Sequence, residues 1–140
     1  PEDDIFRRNR IHSLKNAYFT GQKKVDELPA YIAAYDVCIN PQMVNEITDG
    51  NYPLKIDEYL AMGKPTVATS THTMRNIFAG HTHLAINPEE WLAAIDRAVT
   101  EADYKELAKQ RIAFAETHSW GHSVKKIYDI IDKFLKERTT

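Results

Sequence analysis

Asn51-Tyr-Pro-Leu-Lys-Ile-Asp-Glu-Tyr-Leu-Ala-Met-Gly-Lys-Pro-Thr-Val-Ala-Thr69 reads as a helix that opens at Pro53, stops at Gly63 and runs directly into a strand at Thr66. Proline suits a first helical turn, where its missing N–H is not needed, and glycine suits the left-handed residue that ends a helix. Ile56, Tyr59 and Leu60 fall on one apolar face by the 3.6-residue repeat. Thr66-Val-Ala-Thr69 follows as a short strand. A helix that feeds a strand in this way is the repeating unit of a parallel sheet with helices on both faces.

The same grammar extends in both directions. Upstream, Ala17-Tyr-Phe-Thr20 is a strand candidate ending at Gly21, residues 28–35 read as a helix of about two turns, and Val37-Cys-Ile39 is a continuous apolar run, the mark of a strand covered on both faces. Residues 40–51 are polar, with Asp49-Gly50 as the clearest turn signal. Downstream, residues 71–79 predict a helix closed by Gly80, and His83-Leu-Ala-Ile86 a further strand. Asn87 is then a helix cap, with Pro88 at the first position and Glu90 placed to close a capping box; the helix runs through Trp91, Leu92, Ile95 and Val99. Two more helices are predicted over about 103–117 and 119–137. The last carries an apolar stripe of Val124, Ile127, Tyr128, Ile131 and Leu135. The expected fold is α/β: a Rossmann-like parallel sheet of about four short strands flanked by helices, with C-terminal helices.

With 140 residues the chain has room for one domain, residues 1–140. It opens on Pro1 and a charged stretch over residues 1–15, with loop and helix character in the first dozen residues. Together with the small number of strands, this predicts a truncated sheet and a fragment of a longer chain. A net charge of −2 gives no electrostatic case for nucleic acid, which wants a basic face. No apolar run reaches the length of a membrane span and no signal peptide is visible. The single cysteine, Cys38, cannot form an internal disulfide and fits a reducing, cytoplasmic setting.

In open parallel sheets, ligands settle beyond the carboxyl ends of the strands, which here means loops 21–27, 40–52 and 69–73. A helix N-terminus carries unpaired N–H groups and partial positive charge, and Lys55 adds a full charge in the first turn of the helix from Pro53. That combination suits a diphosphate. Glu58, three residues on and on the same face, can accept two hydrogen bonds from vicinal hydroxyls such as those of ribose. The plain alternative stays open, since Lys and Glu at this spacing are common as a solvated surface pair.

The words around this pair add a resemblance. Pro53-Leu-Lys-Ile-Asp-Glu-Tyr-Leu-Ala-Met-Gly-Lys-Pro-Thr-Val-Ala-Thr69 closely resembles the donor-binding segment of GT-B glycosyltransferases, in particular the GT4-like group (glycosyl transferases group 1). Tyr18-Phe-Thr-Gly21, Asp26-Glu-Leu-Pro-Ala-Tyr31 and Tyr35-Asp-Val-Cys-Ile-Asn-Pro41 are similar to the lead-in of that family, and Ser119-Trp120 to the opening of its final helix. The resemblance spans residues 15–137 and is most specific over 51–69. It implies two facing Rossmann-like domains, the C-terminal one binding the nucleotide sugar and the N-terminal one bringing a glycan or lipid-linked acceptor. By this resemblance Glu58 holds the donor ribose and Lys55 the diphosphate. Asp49, Gly50, Asn51 and Tyr52 lie against the donor sugar, Leu54 belongs to the same donor-binding set, and Gly21 flanks the base. It further implies hexosyl transfer with retention, no bound metal, and no cofactor beyond a UDP- or GDP-sugar substrate. The parent protein would be cytoplasmic, associated peripherally with the inner face of the membrane, and active in polysaccharide biosynthesis. Catalytic groups would come from the N-terminal domain, leaving this chain inactive alone.

One departure stands out. Many members carry a second acid eight residues before the equivalent of Glu58; here that place is Gly50, with Asp49 one position off and Glu46 four positions early. A rival expectation is therefore a Rossmann-like interaction or regulatory domain that has lost donor binding. Other candidates read more simply as structure. His81 and His83 lack a positioned third metal ligand, His118 and His122 suit local capping or the surface, and Cys38 suits core packing. Tyr31, Tyr35, Trp91 and Tyr128 fall on helical faces expected to be buried. Lys23, Lys24 and Arg75 read as solvated cations.

Overall fold

The computed structural model describes residues 11–138. Three strands, β1 (Cys38–Asn40), β2 (Thr66–Thr69) and β3 (His83–Ala85), form one parallel sheet in the order β1-β2-β3. The register pairs Ile39 with Val67 and Ala68 with Leu84. The helices are α1 (Leu28–Ala33), the single turn α2 (Glu46–Asp49), α3 (Leu54–Ala61), α4 (Pro88–Thr100), α5 (Lys105–Glu116) and α6 (Trp120–Arg138). The α/β parallel architecture expected from the sequence is the one observed. No helix among the described residues is long and apolar enough to cross a membrane.

The alternation of side chains along β2 splits the core into two layers. Ala68 faces Ile56 and Leu60 of α3, Met74 and Phe78 from the segment after β2, and Ala115 of α5. Val67 faces the other way, with Ala85 of β3 and Ala94 and Ala98 of α4, and Val37, Trp91 and Ile95 complete that layer. All four residues of β2 are buried. Several of the groups facing the sheet are alanines, so helices and sheet approach closely.

The punctuation read from the sequence is present. Gly63 ends α3 with φ +70°, and a Cβ there would lie 3.1 Å from Ala108 Cβ, against α5. Asn87 Oδ1 accepts from Glu90 N–H at 2.9 Å. Glu90 does reach back, but its carboxylate accepts from Ile86 N–H at 2.7 Å, one residue earlier than a standard box requires. Lys64 Nζ donates to Ala33 O at 2.8 Å, closing the end of α1.

Four expectations need correction. Residues 17–20 form no strand; Tyr18 is 85% exposed, and Phe19 stacks on His12 at 4.3 Å. Strand pairing needs a ladder with a neighbouring strand, and among the described residues the sheet has three strands, not four. The β1 strand is shifted to Cys38–Asn40 and covered on one face only: α4 packs on β2 and β3, leaving Ile39 47% exposed. The helix expected over 71–79 is largely a π-helix, Met74–Phe78, which carries Met74 and Phe78 into the core. In α6 the expected helix forms, but none of its residues is buried and the apolar stripe, Tyr128 included, faces outward. The loop and helix expected in the first dozen residues fall mostly outside the described residues; Ile11–Ser13 make one 3-10 turn.

Beside Gly63 a polar cluster locks α5 in place. The Arg111 guanidinium is buried, ion-paired with Glu101 and within 3.5 Å of Gly63 O, while His83 Nε2 lies 3.0 Å from Glu101 Oε1. His81 stacks on Phe114 at 3.9 Å between ring centroids. Burial, then the charges of Arg111 and His118, hold its pKa below the usual histidine value.

Two predictions follow from these contacts. Gly63→Val forces a β-branched residue into the left-handed region and against α5, and should destabilise the fold by about 2–4 kcal/mol in a denaturant melt. A melt unchanged from wild type would contradict the close approach. The second concerns pH: the unfolded chain protonates His81 near pH ~6.5 whereas the folded state resists protonation, so this contribution is complete above that pH and is lost as pH falls towards the depressed folded-state pKa. His81→Phe keeps the stack without the proton site, and its melting temperature should fall less than that of wild type between about pH 7.5 and 5.5.

Candidate functional site

The loop between β1 and α3 is built, not slack. Thr69 Oγ1, at the end of β2, accepts from Gln42 N–H at 2.8 Å and donates to Gln42 O at 3.0 Å. Asn45 Oδ1 caps α2, accepting from the N–H groups of Ile47 and Thr48 at 2.9 Å each, and Thr48 Oγ1 accepts from Asn45 N–H at 3.0 Å. Asp49 Oδ1 accepts from His72 N–H at 2.7 Å. Its carboxylate therefore secures the start of the segment after β2. Gly50 closes α2 and would leave an added Cβ in open space. Asn51 and Leu54 are exposed.

Pro53 precedes α3, and no side-chain cap occupies the helix start. Along α3, Ile56 and Leu60 turn into the core, so the 3.6-residue repeat sends Lys55, Glu58 and Tyr59 towards α1. There they meet loop 20–23. A cavity of about 310 Å³ is lined by Gly21, Lys23, Tyr31, Tyr35, Lys55, Glu58 and Tyr59, among others. Gly21 has φ +68°, a left-handed conformation that glycine alone adopts freely, and it turns the chain at the cavity edge. An adjoining, more apolar cavity of about 270 Å³ runs between Val25, Pro29, Ala61 and Met62, and Glu58 lies in the wall of both.

Three of the sequence-derived site residues thus converge: Gly21, Lys55 and Glu58. Asp49, Gly50, Asn51, Tyr52 and Leu54 do not line that cavity. Tyr52 turns away from it, its OH donating to Asp57 Oδ2 at 2.6 Å and its ring lying 5.5 Å from that of Phe78. Sequence reasoning undervalued Lys23. Its ammonium sits 5.0 Å from the Tyr31 ring centroid, on the wall shared with Lys55. The signal was its place two residues after Gly21. Tyr31 and Tyr35, expected in the core, line the cavity instead, whereas Trp91 does pack against the core. Arg75 donates to Ser70 O.

Electrostatically, the cavity places two lysine ammonium groups near one carboxylate, next to a helix start. That arrangement has the charge to suit a polyanion, with one acceptor for hydroxyl groups. The histidines make separate contacts: His83 to Glu101, His81 to Phe114 and His118 to Asp57. Among the described residues no three metal-ligating side chains gather.

The family model for glycosyl transferases group 1 matches residues 2–101. The chain belongs to that family. A Bacillus subtilis (strain 168) protein named as a teichuronic acid biosynthesis glycosyltransferase, TuaH, is 28% identical to the chain over 111 residues, covering 77% of this chain and 28% of its own length. The chain therefore spans little more than a quarter of that relative. No solved structure matches significantly. Family match and relative together support a GT-B-type glycosyltransferase domain.

Cys38 takes no part in this chemistry. Burial pushes its thiol up to about 11, only partly opposed by the charge of Lys64, so it stays protonated. In the folded chain Cys38 should resist iodoacetamide at about pH 8 and react fully once urea unfolds the protein. Rapid native labelling would show that the strand is open.

Proposed function

We propose that this chain binds the nucleotide-sugar donor of a glycosyl transfer in the cavity between loop 20–23, α1 and α3. The observation that carries the reading is the convergence of Gly21, Lys55 and Glu58, distant or separated in sequence, on one cavity. Lys55 and the start of α3 take the diphosphate, Glu58 accepts from the ribose hydroxyls, and Gly21 allows the base to approach the backbone. Loop residues Asp49, Gly50, Asn51 and Tyr52, with Leu54, border the sugar side. During transfer an acceptor hydroxyl oxygen bonds to the anomeric carbon as the bond from that carbon to the diphosphate oxygen breaks. The hydroxyl proton passes to the leaving diphosphate or to a base of the partner domain, and negative charge grows on the leaving group. Lys55 and the helix N–H groups stabilise that charge without a metal.

The acceptor is a glycan or a lipid-linked acceptor brought by a partner domain, which also supplies any acid or base, so this chain alone transfers nothing. Transfer proceeds with retention, in the cytoplasm, with the parent protein peripheral to the inner face of the membrane. The name of the Bacillus relative supports a polysaccharide product. One observation favours a second reading, a non-catalytic interaction domain. Gly50 stands where the family resemblance implies an acid, and the nearby carboxylate of Asp49 is bonded to His72 N–H.

An amide-resolved NMR titration with UDP, GDP and ADP separates the two. For donor binding, one nucleotide shifts amides in residues 20–23 and 50–58, and Lys55→Ala or Glu58→Ala weakens it about tenfold or more. A folded wild-type chain that answers to none of the three nucleotides would favour the interaction domain.

A further inference from the structure

A carboxylate stands in the first turn of the helix whose start is read as the diphosphate site. Asp57 lies in the first turn of α3, two residues after Lys55. There it favours the helix dipole but would repel an anion bound at the same end. Both of its oxygens are taken. Tyr52 OH donates to Oδ2 at 2.6 Å, and His118 Nδ1 lies 2.9 Å from Oδ1. A carboxylate oxygen accepts, so His118 Nδ1 is the donor in this hydrogen bond. The Asp57 and His118 side chains are 19% and 24% exposed, which strengthens the pair relative to one in open solvent. Burial and then Asp57 itself raise the Tyr52 pKa well above the usual tyrosine value, so its hydroxyl remains a donor.

The surroundings hold these groups in place. The His118 ring meets Phe114 edge-on at 4.5 Å, Phe78 at 5.8 Å and Tyr52 at 6.4 Å. His118 lies in the turn between α5 and α6, 61 residues from Asp57 and beyond the residues matched by the family model. Residue 52 is the last but one before α3, so anchoring Tyr52 fixes how the loop enters the helix start.

We propose that Asp57 and His118 are positioning residues: through Tyr52 they fix the loop at the start of α3, and by engaging the Asp57 carboxylate they make that helix end receptive to the donor diphosphate. The inference rests on the donor-binding reading above. It assigns to the α5–α6 turn a part in donor binding.

The test uses this chain as wild type, Tyr52→Phe, His118→Ala and His118→Asn. Two readouts are taken: hydrogen–deuterium exchange of amides 50–56 without ligand, and affinity for UDP and GDP against uridine and guanosine. Tyr52→Phe keeps the ring and its packing, so it guards against simple unfolding. Tyr52→Phe and His118→Ala should accelerate loop exchange and weaken the nucleoside diphosphate about three- to tenfold, with nucleoside affinity unchanged. His118→Asn, whose amide can still donate to Asp57, should recover most of the loss. Unchanged exchange and affinity in folded variants overturns the proposal while leaving donor binding intact. Equal losses for nucleoside and diphosphate also overturn it, since they mark general loosening. A wild-type chain that binds neither UDP nor GDP overturns the donor reading, and this proposal with it.

Discussion

Burial of β2 on both faces is the constraint from which the rest of the structure follows. A strand with no face open to water needs apolar cover on each side, and Val67 and Ala68, pointing opposite ways, receive it from α4 on one side and from α3, the π-helix and α5 on the other. Covering the α3 side requires α3 to end and reverse within a few residues. Gly63 makes that reversal in a left-handed conformation, and its missing side chain lets α5 close over the turn.

The site is a by-product of that packing. With Ile56 and Leu60 committed to the core, Lys55 and Glu58 are turned towards α1, and the left-handed turn at Gly21 meets them. Thr69 and Asp49 tie the β1–α3 loop to the end of β2 and to the segment after it. Helix start, loop and sheet therefore share one rigid framework. Binding an anion in such a framework needs little reordering, which favours affinity for a given set of contacts.

What the sequence disclosed depended on how local each cause was. Gly63, Asn87 with Glu90, and the face of Ile56 and Leu60 are set by neighbours within a turn, and they were legible. Lys55 and Glu58 were legible for the same reason, helped by the resemblance. Residues 17–20 have the composition of a strand, but strand formation needs a partner elsewhere in the chain, which composition does not report. Ile39 is exposed because α4 packs on the other two strands, a matter of tertiary placement. The contact of His118 with Asp57 crosses 61 residues with no periodic trace. The resemblance places Asp49 against the donor sugar, while its bond to His72 N–H depends on how the loop folds back and leaves no trace in the sequence.

The alanines at the seams between sheet and helices have a consequence for sequence drift. Ala68, Ala85, Ala94 and Ala98 are fully buried, and they set the gap between the layers at the thickness of methyl groups. Such positions are constrained in one direction: a larger residue pries the layers apart, while a smaller one, glycine, weakens its helix or strand. With three short strands among the described residues, the interior they enclose leaves little room to absorb the displacement. Variation in this domain should therefore gather in its loops and on the outer face of α6, and thin out along the alanine-lined seams.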